Sequence, residues 1–368
     1  MATRSPDQLM PQDAIPEIIA GLGSIFGAQV KIEVLPAGDR NSAARADADF
    51  LVNVVWARAR FEFVAEAKAR NTPRVLEEAL HQARRWAAES GRLPMVIVPF
   101  LGEKRIERLA EEGVSGLDLC GNGLVLVPGR MILRRSGQPN RYPESRPARF
   151  AYRGVTSMVP RVFLRRAEYS SVGQIRDEIE SAGGSVALST VSKALARMAD
   201  DLIIDRFADR IVLLQPDKLV DALSQSFNPP KPQRTARAKT PLALADFFLR
   251  VEETNVRGGR PCAVLSGASS QDRYVAGMRG DVPVVYAKDL GEIRRRLGDA
   301  WQPTDRFANL TVIETRDPTP FLDARRGEDG VWYASPVQTF LELAAAGEKR
   351  DFEMAQQVRA LILRDLRR

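Results

Sequence analysis

The chain has 368 residues, of which 44% are hydrophobic and 27% are charged, so we expect a globular protein of two or three domains. A single histidine excludes most Ser-His and Cys-His hydrolase chemistry, and it cannot complete a four-ligand zinc site with two distant cysteines. The net charge of +7 favours an anionic partner, either nucleic acid or a membrane surface. No apolar run reaches the length of a membrane span and the first residues lack an apolar signal core, so we expect a cytoplasmic protein.

A short hairpin carries the first group of candidate catalytic residues. The patterns at residues 50–56 and 60–68 predict two strands. A turn centred near Arg58 would set Asp49 opposite Ala67, so that its carboxylate lies beside Glu66. Glu66 and Lys68 are two residues apart and therefore share a face of their strand. Two carboxylates can hold Mg²⁺, and a neighbouring lysine can orient or deprotonate a water whose pKa the metal lowers.

The elements that follow this hairpin predict an α/β sandwich. Thr72 can cap a helix that has Pro73 at its first position and runs to Gly91. A buried strand is expected at residues 93–101, then a helix at 103–112, and strand-like sequence again at 114–127. The order of strands, helix, strand, helix and strand places helices against a mixed sheet.

Together, the motif and this order resemble the PD-(D/E)xK restriction-endonuclase-like fold over the first third of the chain. The family's motif maps onto Asp49, Glu66 and Lys68, with Asp47 as the alternative to Asp49. Gln82, on the following helix, stands where some resolvase-like members carry a functional glutamine, and Glu17 corresponds to the family's extra acid. The resemblance implies a Mg²⁺-dependent deoxyribonuclease with Asp49 and Glu66 as metal ligands. Many proteins of this fold use it only as a scaffold, so an inert protein-interaction module stays open as an alternative.

Two basic segments interrupt the folded regions. Between residues 130 and 153 there are seven arginines against one acid, and prolines punctuate the same stretch. We expect an extended connector that lies on a phosphate backbone, with a solvated linker as the alternative. Its candidate DNA contacts are Arg134, Arg135 and Arg141. Residues 228–240 carry four Lys or Arg, no acid and three prolines, which predicts a flexible basic linker.

The region between these segments has the order of a winged helix-turn-helix. Ser171 can cap a first helix, Gly183 and Gly184 make a turn, and a second helix follows at 189–198. Two short strands at 202–205 and 210–214 would form the wing. The candidate DNA contacts are Ser189, Thr190, Ser192, Lys193 and Arg197 in the major groove, with Arg206 and Arg210 on the wing. Winged helices also serve as dimerisation modules, which leaves a homodimer open.

The C-terminal region alternates predicted strands and helices and lacks any P-loop or dinucleotide fingerprint. The turn at residues 265–268, the segment 333–343 and the following 350–355 look like the C-terminal region of AbiEi-type antitoxins. Those proteins are transcriptional regulators of type IV toxin–antitoxin systems. The resemblance implies a regulatory role and a toxin partner, which the sequence does not identify.

We therefore expect an α/β and α+β multidomain protein. Its parts are a nuclease-like domain at 1–150, a winged helix-turn-helix at 155–227, a linker at 228–240 and an antitoxin-like α/β domain at 241–368. The leading function is binding of double-stranded DNA for transcriptional regulation in a defence or stress setting, with no membrane partner. The alternatives are a Mg²⁺-dependent DNA endonuclease targeted by the winged helix, and the inert nuclease-like module.

Overall fold

A computed structural model describes residues 26, 30–36, 48–70, 72–141, 150–252, 260–275 and 282–367. The fold is mixed α/β with several sheets. The chain divides into two compact units, residues 1–147 and 148–368, each with its own sheets. No helix among the described residues combines the length and apolar character needed to cross a membrane.

The first unit is a seven-stranded sheet with two described helices. Its strands are β1 (Val30–Pro36), β2 (Phe50–Trp56), β3 (Ala59–Ala67), β4 (Leu93–Val98), β5 (Ser115–Asp118), β6 (Gly123–Val127) and β7 (Met131–Arg135). Its helices are α1 (Pro73–Ser90) and α2 (Glu103–Glu111).

The strands of this sheet lie side by side in chain order. β1, β2 and β3 pair antiparallel, β3, β4 and β5 pair parallel, and β6 and β7 return to antiparallel pairing. Parallel neighbours need a crossover connection, and α1 and α2 supply the two that join β3 to β4 and β4 to β5. The carboxyl ends of the three parallel strands therefore meet at one edge of the sheet.

Local signals fix the limits of α1. Thr72 Oγ1 accepts a hydrogen bond from the Val75 amide at 3.4 Å, Pro73 holds the first helical position, and Gly91 ends the helix with a φ of 68°. Leu76 and Leu80 on its inner side join a buried cluster against one face of the sheet. The predicted helix is therefore confirmed from cap to cap.

Two sequence expectations in this unit were wrong. The stretch 114–127 is two strands rather than one, because the chain reverses after β5 and β6 pairs antiparallel with it. The basic segment from residue 130 does not begin as a connector. Its first part is β7, which pairs with β6 because alternate residues such as Met131 are buried against the sheet. Residues 142–149, with the rest of the expected connector's arginines before Arg153, lie outside the described residues.

The second unit opens with a helical region that carries a small sheet. Its elements are α3 (Met158–Phe163), β8 (Glu168–Tyr169), α4 (Val172–Ser181), α5 (Leu188–Asp200), β9 (Ile204–Arg206), β10 (Ile211–Leu213) and α6 (Pro216–Ser226). β10 lies between β8 and β9 and pairs antiparallel with both. The strand β8 was not predicted, since two residues carry no readable alternation.

The remainder of the second unit is built on another seven-stranded sheet. It contains β11 (Arg234–Lys239), α7 (Leu244–Glu252), β12 (Ala263–Leu265), β13 (Val284–Ala287), α8 (Leu290–Leu297), β14 (Gln302–Pro303), β15 (Leu310–Glu314), β16 (Arg325–Arg326), β17 (Trp332–Tyr333), α9 (Pro336–Ala346) and α10 (Lys349–Leu366). The strand order is β14-β11-β15-β13-β12-β17-β16.

The predicted flexible linker at 228–240 was wrong for its second half. Residues 234–239 form β11, which pairs antiparallel with β15 along five residues. Ala238 is fully buried on one side of the sheet, while Arg237 and Lys239 are exposed on the other. The segment looked like a solvated linker because its basic side chains face water and its small alanines carry the packing.

The helical region and the last two helices share one hydrophobic core. Ile175 of α4 and Leu195 of α5 belong to the same buried cluster as Phe340 of α9 and Val358 of α10. The expected winged helix and the end of the expected C-terminal domain are thus packed as one body, because the apolar faces of α9 and α10 complete its core.

Candidate functional site

The β2–β3 hairpin has a tighter turn than the sequence suggested. Ala57 and Arg58 form a two-residue turn with φ of 48° and 69°, and Phe50 pairs with Ala65. The expected register, with Asp49 opposite Ala67, was wrong by one residue. The observed pairing ends at Phe50 and Ala65, so Asp49 lies just before the paired residues of one strand and Glu66 just after those of the other.

Lys68 joins two of the predicted site residues. Its ammonium donates to Glu66 Oε1 at 2.7 Å and to Gln82 Oε1 at 2.7 Å. Glu66 and Lys68 lie on the sheet face that α1 covers, where Val64 packs against Ala87, and this brings Gln82 within reach. The Glu66 side chain is only 8% exposed, whereas that of Lys68 is 24% exposed. The cluster is therefore a nearly buried carboxylate held by a lysine at the carboxyl end of a parallel strand.

Asp49 contacts the same strand end through the backbone. Its Oδ2 accepts a hydrogen bond from the Ala67 amide at 2.9 Å. Within the part of the chain that the structure describes, the second oxygen of Asp49 and that of Glu66 accept no hydrogen bond. No group of three or more Asp, Glu, His or Cys suited to a metal occurs among those residues. Glu17, the additional acid that the resemblance implied, lies outside them, as does Asp47, the alternative to Asp49.

These two carboxylates match the number that Mg²⁺ takes when substrate phosphates and waters complete its oxygen shell. One oxygen of each remains for such a role. The donor set at this edge of the sheet is therefore compatible with Mg²⁺.

A buried carboxylate at the same sheet edge was not identified from the sequence. Asp118, at the end of β5, is fully buried and accepts backbone hydrogen bonds from Leu101, Cys120, Gly121 and Asn122 at 2.7–2.8 Å. The side-chain amide of Asn122 donates a further hydrogen bond to the same carboxylate at 2.7 Å. These hydrogen bonds tie the loop after β5 to the end of its own strand, which β4 separates from the strand that carries Glu66. The available signal was an Asp followed by Gly and Asn, which is typical of side chains that bind their own turn.

A second candidate site lies on α5. Ser189, Ser192 and Lys193 are exposed on this helix and Thr190 is partly exposed, while Val191 and Leu195 face the core. Ser171 caps α4 by accepting from the Gln174 amide at 3.2 Å, as the sequence predicted. The exposed side of α5 therefore presents hydroxyls and one ammonium.

Arg197 has a different environment from the other predicted DNA contacts. Its guanidinium binds both carboxylate oxygens of Asp201 at 2.8 Å, and its side chain is only 18% exposed. Tyr152 donates to the same carboxylate at 2.8 Å, and burial followed by the Asp201 charge raises the pKa of that phenol. This bidentate pairing does not support a DNA contact by Arg197, because one helical turn brings the arginine onto an acid that is itself nearly buried.

The wing offers two exposed arginines. Arg206 ends β9, and Arg210 lies just before β10 with its guanidinium 5.1 Å from the centre of the Phe207 ring. The Phe207 amide donates to the Arg210 carbonyl at 2.8 Å, which closes the turn between the two strands. Both arginines are thus held at the tip of a short, closed hairpin.

The predicted contacts of the first basic segment are spread over different environments. Arg134 on β7 is ion-paired with Glu103 at 2.5 Å, and Arg135 beside it is partly buried. Arg141 is exposed, and its amide donates to Cys120 Sγ at 3.3 Å. Of these three, Arg141 has the environment most like that of a free phosphate contact.

The excess of positive charge does not come from the region around α5. Residues 155–227 contain nine Lys or Arg and ten Asp or Glu. Any attraction of this region for phosphate must come from local placement of cations rather than from its net charge.

No protein-family model, curated protein or solved structure matches the chain.

Proposed function

We propose that this protein binds double-stranded DNA through α5 and the β9–β10 hairpin, and that it acts as a transcriptional regulator. One observation carries the proposal, which is the order α3, β8, α4, α5, β9 and β10 with β10 between β8 and β9. That arrangement is the order of a winged helix-turn-helix, in which the second helix of the turn enters the major groove.

The side chains of α5 suit this role. Ser189, Ser192 and Lys193 can exchange hydrogen bonds with base edges, and their exposure leaves them accessible to a duplex. Arg206 and Arg210 at the wing suit phosphate or minor-groove contact, which positions the protein without reading sequence. The balanced charge of residues 155–227 makes these few cations the main source of attraction.

The test begins with selection of a duplex from a random pool, followed by fluorescence anisotropy. Lys193→Ala should weaken binding by about 1–3 kcal/mol if it reads a base. Arg206→Gln with Arg210→Gln should reduce the slope of log K against log salt by about 0.9 for each lost phosphate contact. Lys349→Ala, an exposed cation at the start of α10, is the matched control. Unchanged affinity and slope in both test variants would contradict the proposal.

A second candidate function is a Mg²⁺-dependent DNA endonuclease. The supporting observation is the bridge that Lys68 makes between Glu66 and Gln82 beside Asp49. Bound by Asp49 and Glu66, the metal would lower the pKa of a water and offset phosphate charge. Lys68 would orient that water, and Gln82 would hold the lysine.

This candidate is tested with supercoiled and branched DNA in the presence and absence of Mg²⁺ or Mn²⁺. Glu66→Ala and Lys68→Ala should each abolish cutting and leave duplex affinity nearly unchanged. Glu62→Ala, an exposed acid on the same strand, should cut normally. Cleavage that survives both substitutions would refute this placement of the active site. A wild type that does not cut would favour the inert scaffold.

A further inference from the structure

A small cleft lies where the turn between α4 and α5 meets the C-terminal sheet. Its volume is about 160 Å³. Its lining includes Ala182 and Gly183 of the turn together with Arg260, Lys288 and Trp332. The cleft is well below the roughly 300–1,000 Å³ of a drug-sized ligand site, so it suits only a small molecule or ion.

The cations of this cleft outnumber its acids. Arg165, Arg260 and Lys288 line it, and Asp323 is its single carboxylate. The Asp323 carboxylate already has a cationic partner, because it forms an ion pair with Arg165 at 3.0 Å. Arg165 also pairs with Glu178 at 3.2 Å. The charge that remains without a carboxylate is therefore that of Arg260 and Lys288.

These two cations have only neutral partners in the described chain. Arg260 Nη2 donates to the Glu180 carbonyl at 2.9 Å, and the Lys288 ammonium lies 5.0 Å from the centre of the Phe321 ring. Partial burial lowers the pKa of the Lys288 ammonium and the positive charge of Arg260 also lowers it, whereas the nearby Cys262 thiol raises it. Two cations that repel each other across a cleft are stabilised by an anion placed between them.

We propose that this cleft is a binding site for a small oxyanion, a phosphate or a carboxylate, held by Lys288 and Arg260. The oxyanion supplies acceptors that no described side chain provides, and its size fits the volume of the cleft.

The position of the cleft gives the site a regulatory meaning. The Asp323 amide donates to the Ala182 carbonyl at 2.8 Å, and Arg260 holds the Glu180 carbonyl, so both bind the end of α4. An anion held here restrains the turn that leads into α5. This coupling rests on the proposed DNA-binding function, whereas anion binding itself does not.

Titration calorimetry of the full chain with inorganic phosphate, at ionic strength matched with NaCl, tests the site. Sodium acetate in a second arm distinguishes a carboxylate from a phosphate. We expect saturable binding of at least one of the two, and about tenfold weaker binding for each of Lys288→Gln and Arg260→Gln. Arg306→Gln and Lys349→Gln, exposed cations outside the cleft, should bind as the wild type does.

The result that overturns the site is the absence of saturable binding of either anion by the wild type, or binding that survives in both cleft variants. Coupling between anion binding and DNA binding is measured separately. The measurement is the change in duplex affinity that the anion causes in the wild type and in Lys288→Gln. An equal change in both would contradict the coupling and leave the site intact. A protein that binds the anion but no duplex would contradict the proposed function instead.

Discussion

Arg161 Nη1 donates a 2.7 Å hydrogen bond to Gln338 Oε1, although the two residues are 177 positions apart in the chain. Both side chains are buried, and Gln338 Nε2 donates in turn to Glu342 Oε1 at 2.6 Å. One neutral amide therefore lies between a buried cation on α3 and a carboxylate on α9. This chain of bonds joins the start of the second unit to its end.

Removing the amide should cost more stability than removing the cation. Gln338→Leu leaves Arg161 charged at neutral pH, since burial lowers its pKa only to about 10, and removes the shorter of its two hydrogen bonds, leaving the one to the Thr319 carbonyl at 3.3 Å. We expect a loss of about 2–4 kcal/mol, against about 1–2 kcal/mol for Arg161→Met, which removes the charge as well. Urea denaturation measures both, with the exposed Gln356→Leu as control. A larger loss in Arg161→Met would show that the amide does not act as the bridge.

Glu342 should make stability depend on pH. Desolvation by burial raises the pKa of its carboxyl from 4.5 to about 7. The unfolded chain therefore releases this proton at lower pH than the folded protein, so stability falls as pH rises from about 4.5 to about 7 and then levels off. At about 1.4 kcal/mol per pH unit the contribution is roughly 3 kcal/mol.

The measurement is the difference in unfolding free energy between pH 5 and pH 8 for the wild type and for Glu342→Gln. The variant should lose the wild type's fall in stability, because its side chain cannot ionise. Glu348→Gln, an exposed acid just after α9, should keep it. The prediction fails if the wild type and Glu342→Gln show the same pH dependence.

The Lys68–Glu66 pair should contribute to stability as well as to any chemistry. Lys68→Met leaves the nearly buried Glu66 carboxylate without its cation, at an expected cost of about 1–3 kcal/mol. Adding Glu66→Gln should recover part of that loss, since the unpaired charge disappears. A double-mutant cycle by urea denaturation gives the coupling energy. The exposed Arg85–Glu89 pair on α1 is the reference, and its coupling should be about 0.3–0.5 kcal/mol. Equal couplings would show that burial adds nothing at Lys68.

Arg197 should prove a structural residue rather than a DNA contact. Arg197→Met removes both hydrogen bonds to Asp201 and should lower stability by about 1–3 kcal/mol. Its effect on duplex affinity should be small beside that of Lys193→Ala, which should leave stability within about 0.5 kcal/mol of the wild type. Denaturation and anisotropy on the same preparations separate the two effects. A large loss of duplex affinity with little loss of stability in Arg197→Met would show that Arg197 contacts DNA.

Several features of the protein follow from its sequence alone. The limits of α1 were readable from Thr72, Pro73 and Gly91, and the start of α4 from Ser171, because caps and helix breakers act within one turn of the chain. The shared face of Glu66 and Lys68 was also predictable, since side chains alternate along a strand, whereas only the family resemblance singled out Gln82.

Tertiary structure decided what depends on distant partners. The sequence of residues 234–239 predicted a linker. The structure shows a strand there because β15, some 70 positions later, pairs with it. The sequence predicted a DNA contact for Arg197 from its helical position, and only the structure shows that its guanidinium binds the Asp201 carboxylate, which also accepts from Tyr152. Composition cannot reveal such pairings, because the energy of a charge or a strand edge depends on which groups replace water around it.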